Sequence, residues 1–204
     1  MAITKKTQNA ILKFWFGPFE EQLSSSEHRR MWYASSAETD AEITAKFKES
    51  LLAVPEANEQ SASLSPHARL ALIVLLDQMS RNIFRGSAQA FAYDPLALAL
   101  CLEGIKNGAD QGLCLTERLF FYHPLEHAES LEAQDHCVNL MQSLVAEYSG
   151  RQGEVASKAL KFAQEHRELI EGFGRFPHRN EVLGRESTAA ELDYLNSGGK
   201  RFGQ

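Results

Sequence analysis

Long apolar runs, paired cysteines, a basic charge excess and phosphate-cradling glycine loops are all missing from this 204-residue chain. The longest uninterrupted apolar stretch, Leu70 to Leu76, lies between Arg69 and Asp77, whereas a membrane span needs roughly 20 such residues. That excludes a spanning helix and reads instead as a buried helix segment. Cys101, Cys114 and Cys137 are odd in number and form no C-x-x-C pair, so neither a disulfide framework nor a zinc knuckle is indicated. All three read as small core residues. Lysine and arginine number 21 against 27 aspartate and glutamate, a net charge of −6, and a duplex-DNA binder needs the opposite balance. Nucleic acid is therefore not an expected partner. Behind Lys5-Lys6 the apolar residues are interrupted at Lys13 and stopped at Gly17-Pro18, too soon for a signal peptide, which makes the cytoplasm the expected location. No serine sits in G-x-S-x-G, no P-loop is present, and no adjacent His-Asp pair supplies the metal signature of helical phosphohydrolases. No cofactor and no resident metal are expected.

What the chain does contain is helical punctuation. Apolar residues recur at three- and four-residue steps between capping residues, which predicts an all-α fold in one domain spanning residues 1–204, with a frayed tail from about residue 197. Helices are predicted over Thr7 to Phe16 and Ser26 to Tyr33, then from a cap at Thr39 or Asp40 to Val54, with Glu56 to Ser65 as a polar loop. Ser65-Pro66 and Asp94-Pro95 each open a helix with proline where its missing donor costs nothing; the first runs to Arg85 and ends at Gly86. A brief helix from Leu115 breaks near His123-Pro124. Another face runs from Leu131 to Tyr148, followed by a turn over Ser149 to Gly153 and a helix through Val155, His166 and Phe173. Thr188 and Glu191 form a capping box for the last helix. About nine helices joined by short turns suggest stacked antiparallel hairpins.

Three clusters carry candidate chemistry. Asp77, Arg81 and Arg85 recur every four residues on one helical stripe, with Gln78 and Asn82 on the stripe beside it. Gly174, Pro177 and Gly184 shape a loop around Arg175, His178, Arg179, Asn180 and Arg185, whose guanidinium groups could fork onto a carboxylate or phosphate. The bland alternative for both clusters is a network of arginines paired with the protein's own acids. The third cluster, His123 to Glu129, formally contains H-x-x-E-H, but Pro124 puts a helix boundary inside it. Glu126, His127 and Glu129 remain candidates for acid-base work. His166 reads as a satisfied core histidine, and Trp15 and Trp32 as packing anchors.

The segments Ile11 to Gly17, Leu75 to Gly86, Pro124 to Glu129, and Phe173 to Asn180 with Leu183-Gly-Arg185, in that order, resemble the bacterial domain-of-unknown-function 924 family. The resemblance spans about Asn9 to Leu195 and implies a tetratricopeptide-like helical fold, with no activity to carry over. Its residues fall on Asp77, Arg81, Asn82, Arg85, Glu126, His127, Glu129, Arg175, His178, Arg179, Asn180 and Arg185. His123 stands where the family tends to be apolar, which marks it as incidental. Met79-Ser80 replaces the aromatic and proline common there.

The leading expectation is a helical-hairpin protein whose polar clusters converge on one pocket for a small anionic molecule or an acidic peptide end. Arg81, Arg85, Arg175 and Arg179 would clamp the anion; His127 and His178 would donate; Asp77 and Glu126 would orient the arginines. The alternatives are a hydrolase using His127 with Glu126 or Glu129, possible also with a metal, and an interaction scaffold whose arginines are structural. The oligomeric state is left open.

Overall fold

The computed structural model describes residues 3–33, 36–55 and 63–201. Its architecture is all-α, as the hydrophobic periodicity predicts, apart from one minimal β-hairpin. Helix α1 (Lys5–Phe16) is capped by Thr4, whose hydroxyl accepts the Thr7 amide, and buries Ile11, Trp15 and Phe16. Gly17 ends it at φ +60°, and a Cβ there would lie 2.3 Å from the His28 ring, so only glycine fits the turn. Strands β1 (Phe19–Glu20) and β2 (Leu23–Ser24) then pair antiparallel, Glu20 opposite Leu23, through Glu21 and Gln22 at positive φ. Two residues per strand are too few for a period of two to show in sequence.

Helix α2 (Ser26–Tyr33) matches its expected span. Helix α3 (Ala37–Leu52) starts earlier than expected, because Ser36 rather than Thr39 or Asp40 supplies the cap oxygen. The expected loop from Glu56 lies outside the described residues up to residue 62.

The centre is a single rod assembled from α4 (Pro66–Ile73), a π-helical segment over Val74–Met79 and α5 (Ser80–Ile83), with Ser65 and Pro66 opening it as expected. Its first half is buried on all sides, and α1, α3, α6 and α7 all pack against the rod. The π segment is the main departure from the straight helix predicted to Arg85. It packs an extra residue into the turn and re-aims the side chains of Asp77 and Gln78 relative to a plain α-helix. Helix α6 (Asp94–Lys106) crosses the rod closely at Gly104, where a Cβ would meet Phe121 at 2.4 Å and Arg69 at 2.5 Å.

Helix α7 (Leu115–Glu126) does not break at His123-Pro124. Proline removes only one backbone donor in the last turn, and a helix buried along almost its whole length holds through it. His127 becomes its C-cap. Cys114, expected in the core, is instead the half-exposed N-cap of α7, whereas Cys101 and Cys137 are fully buried. Helices α8 (Leu131–Glu147) and α9 (Gly150–Phe173) form the tightest pair, and α9 begins inside the stretch expected to be a turn. Helix α10 (Ala189–Asn196) has the predicted capping box. Most buried side chains belong to one apolar cluster; Leu169, Ile170 and Phe176, with Phe173 and Tyr194, make a smaller one beneath the C-terminal segment. No helix among the described residues is long and apolar enough to cross a membrane.

Candidate functional site

The π segment and the last turn of α7 meet across a cavity of about 380 Å³. One part of its wall is apolar, with Trp15, Trp32 and Phe120 held edge to face or stacked, and Val155, Ala159 and Phe162 from α9 beside them. The other part is polar: Gln78, Arg81, His123, Glu126, His127 and His166. Such a mixed lining in this size range is typical of small-molecule sites.

Within it, Asp77 and His127 form a hydrogen-bonded pair. The ring Nδ1 of His127 lies 2.8 Å and 3.0 Å from the two carboxylate oxygens of Asp77, which is completely buried. Burial alone would raise the carboxyl, but His127 and Arg81 outweigh it and hold it below the usual carboxylate range. Burial also pulls His127 down to about 3 in spite of Asp77, so the ring is neutral at pH 7. A neutral ring facing an ionised carboxylate donates through Nδ1 and leaves a lone pair on Nε2. Gln78 supports the pair by donating to Asp77 Oδ2 at 2.6 Å, and its Nε2 lies 3.2 Å from His123 Nδ1.

Glu126 is the site's anomaly. Its side chain is 8% exposed, and its nearest ionisable neighbour is His166 Nδ1 at 3.6 Å, a nitrogen that already points 2.8 Å from the Phe162 carbonyl. Burial disfavours the charged carboxylate, and with Asp77 and Glu165 adding it pushes the group up to about 8. Burial likewise holds His123 and His166 near 4. At neutral pH the cavity therefore presents a protonated carboxyl beside three neutral imidazoles.

The arginines are largely engaged by the protein. Arg81 grips Asp94 with two bonds of 2.9 Å, donates to the Asp77 carbonyl, and lies 3.5 Å from the Asp77 carboxylate. Arg179 lies between the rings of Phe91 and Phe176, 4.7 Å and 4.4 Å from their centres, and donates to the His127 carbonyl at 3.1 Å. Burial, together with neighbouring Arg81, pushes its guanidinium down to about 10. Asn82 and Arg85 both bind Asp40, at 2.8 Å and 2.6 Å.

The expected convergence is therefore partial. Arg81, Asn82, Arg85, Glu126 and His127 line the cavity, and Asp77 and Arg179 stand directly behind it. Arg175, Asn180 and Arg185 make a separate latch: Arg175 forks onto Glu191 at 2.6 Å and 2.8 Å, Asn180 donates to the same carboxylate, and Arg185 forks onto Glu129 at 2.6 Å and 3.0 Å. Glu129 is thus a partner of the latch and of the Phe176 amide at 2.8 Å, away from acid-base work. His178 lies in the latch segment, outside the cavity lining, where burial lowers it to about 3. His123, read as incidental, and His166, read as core, both line the cavity, as do Arg29, Gln78 and both tryptophans. The paired recurrence of His123 and His127 one turn apart was the signal for the first; nothing local in sequence marks Arg29. No three His, Cys, Asp or Glu side chains among the described residues group in a way that could hold a metal ion.

Comparison with known proteins matches this framework without adding a reaction. The family described as bacterial protein of unknown function (DUF924) matches residues 11–199. The solved structure of a protein of unknown function, ATU0120 from Agrobacterium tumefaciens, is similar at a TM-score of 0.79 and 34% identity, covering 96% of this chain and 100% of that one. No curated protein matches. With the family pattern running through the rod, α7 and the C-terminal latch alike, the chain belongs to the bacterial DUF924 family.

Proposed function

We propose that the cavity is the active site of a small-molecule hydrolase working by paired proton transfer. His127 is the general base, Asp77 fixes its orientation and tautomer, and Glu126 is the general acid. The observation that carries this reading is the Asp77–His127 hydrogen bond opening onto the same cavity as the buried Glu126 carboxyl, which lies 3.6 Å from His166 Nδ1. His127 Nε2 takes a proton from water as the water oxygen attacks an acyl carbon. Glu126 gives its proton to the departing oxygen or nitrogen, and the proton on His127 returns to Glu126 through solvent. The π segment supports the assignment, since such segments occur frequently at functional sites.

The anion clamp expected from Arg81, Arg85, Arg175 and Arg179 gains less support, because each already meets a protein oxygen acceptor. A tetratricopeptide-like hairpin stack belongs to the same proposal, supported by the α8–α9 pair, whose α9 gives the cavity one wall. A cytoplasmic setting fits three unpaired cysteines.

The test is a panel of p-nitrophenyl and alkyl esters assayed with wild type, His127→Gln, Asp77→Asn and Glu126→Gln. Loss of the base should cost about 10²–10⁴-fold on every ester. Glu126→Gln should hurt alkyl esters far more than p-nitrophenyl esters, whose leaving group departs without a proton. Turnover by His127→Gln equal to wild type on the whole panel would sink the assignment.

A further inference from the structure

Besides the engaged arginines, the cavity wall holds one of a different kind. Arg29, on α2, donates to the Ser24 carbonyl at 3.1 Å, and among the described residues no carboxylate pairs with it. Among the described residues it is the only arginine of the lining without an acidic partner: Arg81 has Asp77 and Asp94, and Arg85 has Asp40. The wall beside it is the aromatic one. Trp15 stacks on Trp32 at 6.4 Å, Phe120 stands edge-on to Trp32 at 4.5 Å, and Leu23, Met31 and Leu119 continue the apolar surface. The indole donor of Trp32 is already taken by the Trp15 carbonyl at 2.9 Å, which turns its ring system to the cavity as a hydrocarbon face.

A guanidinium open to a forked acceptor beside an apolar wall selects a ligand of two parts. The polar groups elsewhere in the wall offer a contrast: at neutral pH they include a protonated Glu126 and neutral imidazoles, which do not attract a second charge. We propose that the ligand is a small amphiphilic monoanion, its carboxylate on Arg29 and its apolar body against Trp15, Trp32 and Phe120. This deepens the hydrolase reading by naming the substrate class of the same cavity, and it rests on that cavity being the ligand site.

The protein's only two tryptophans both line this wall, so intrinsic fluorescence reports occupancy directly. The experiment titrates octanoate, octanol and octylamine at pH 7 into wild type, Arg29→Gln and Arg29→Lys, with circular dichroism confirming that each is folded. Octanoate should change the emission saturably and bind at least about 10-fold more tightly than the alcohol or the amine, the scale of one charge-assisted hydrogen bond. Arg29→Gln should erase that preference, and Arg29→Lys should keep most of it. Equal binding of the three probes, an octanoate affinity unchanged in Arg29→Gln, or no saturable signal from any probe overturns the proposal. The ester panel answers separately: turnover without octanoate binding sinks the anion class alone, and octanoate binding without turnover sinks the hydrolase reading alone.

Discussion

Glu126 shows most clearly how a single residue can reveal a site. Its proton is held because ionisation would strand a charge among apolar and neutral groups, and that has a measurable consequence for stability. The carboxyl's ordinary value is 4.5 and its folded value about 8, so the stability it contributes below pH 4.5 is lost as the pH rises towards 8. Glu126→Gln removes the loss. Thermal melts at pH 5 and pH 9 should show the variant gaining on wild type with rising pH, by an amount on the order of a few kcal/mol. If turnover uses this proton, wild-type activity should also fall above about pH 8, with an acid limb set by His127 near 3. Sequence offered Glu126 and His127 as candidates, but it paired His127 with a neighbouring glutamate. The actual partner, Asp77, lies fifty positions away on another helix, and no local spacing encodes that meeting.

At the level of elements, caps and glycines were legible and departures from ideal helix were not. Ser65-Pro66 and the Thr188 box declare themselves because each satisfies orphan amides by local chemistry, and Asp94-Pro95 because proline in the first turn needs no amide partner. The π segment does not, since the packing of α1, α3, α6 and α7 around the rod sustains it. Helix α7 persists past Pro124 for the same reason: burial on every side outweighs one missing donor. A sharper expectation concerns Gly17, where α1 turns back towards α2 and both tryptophans and Arg29 are brought to one wall. Gly17→Ala combines positive φ with a contact on His28, so it should lower stability by more than about 1 kcal/mol. Chemical denaturation measures the first effect. Octanoate affinity, weaker in the variant than in wild type, reads the second.

On the scale of the whole molecule, the charges balance by proximity and the histidines set the acid edge. His123, His127, His166 and His178 are lowered to about 4, 3, 4 and 3, from 6.5 in an unfolded chain. The stability they contribute is fully present above pH 6.5 and is lost as the pH falls towards 3 to 4. The melting temperature should drop steeply below about pH 6, and replacing His166 with Gln should soften the slope. The large apolar cluster joins helices from α1 through α9, from which we expect one cooperative transition whose near- and far-ultraviolet signals coincide. Two separated transitions would divide the chain into more than the single domain that its length suggests.

Cys101 and Cys137 lie at full burial in that cluster, and burial pushes all three thiols above their ordinary value, Cys114 to about 12, but Cys114 alone sits partly exposed at a helix start. The molecule thus carries its own clock for breathing. One sulfhydryl is open to alkylating reagents in the folded state, and two become reactive only when the interior parts, so the lag between the first adduct and the second and third, read by mass, times how often the fold opens.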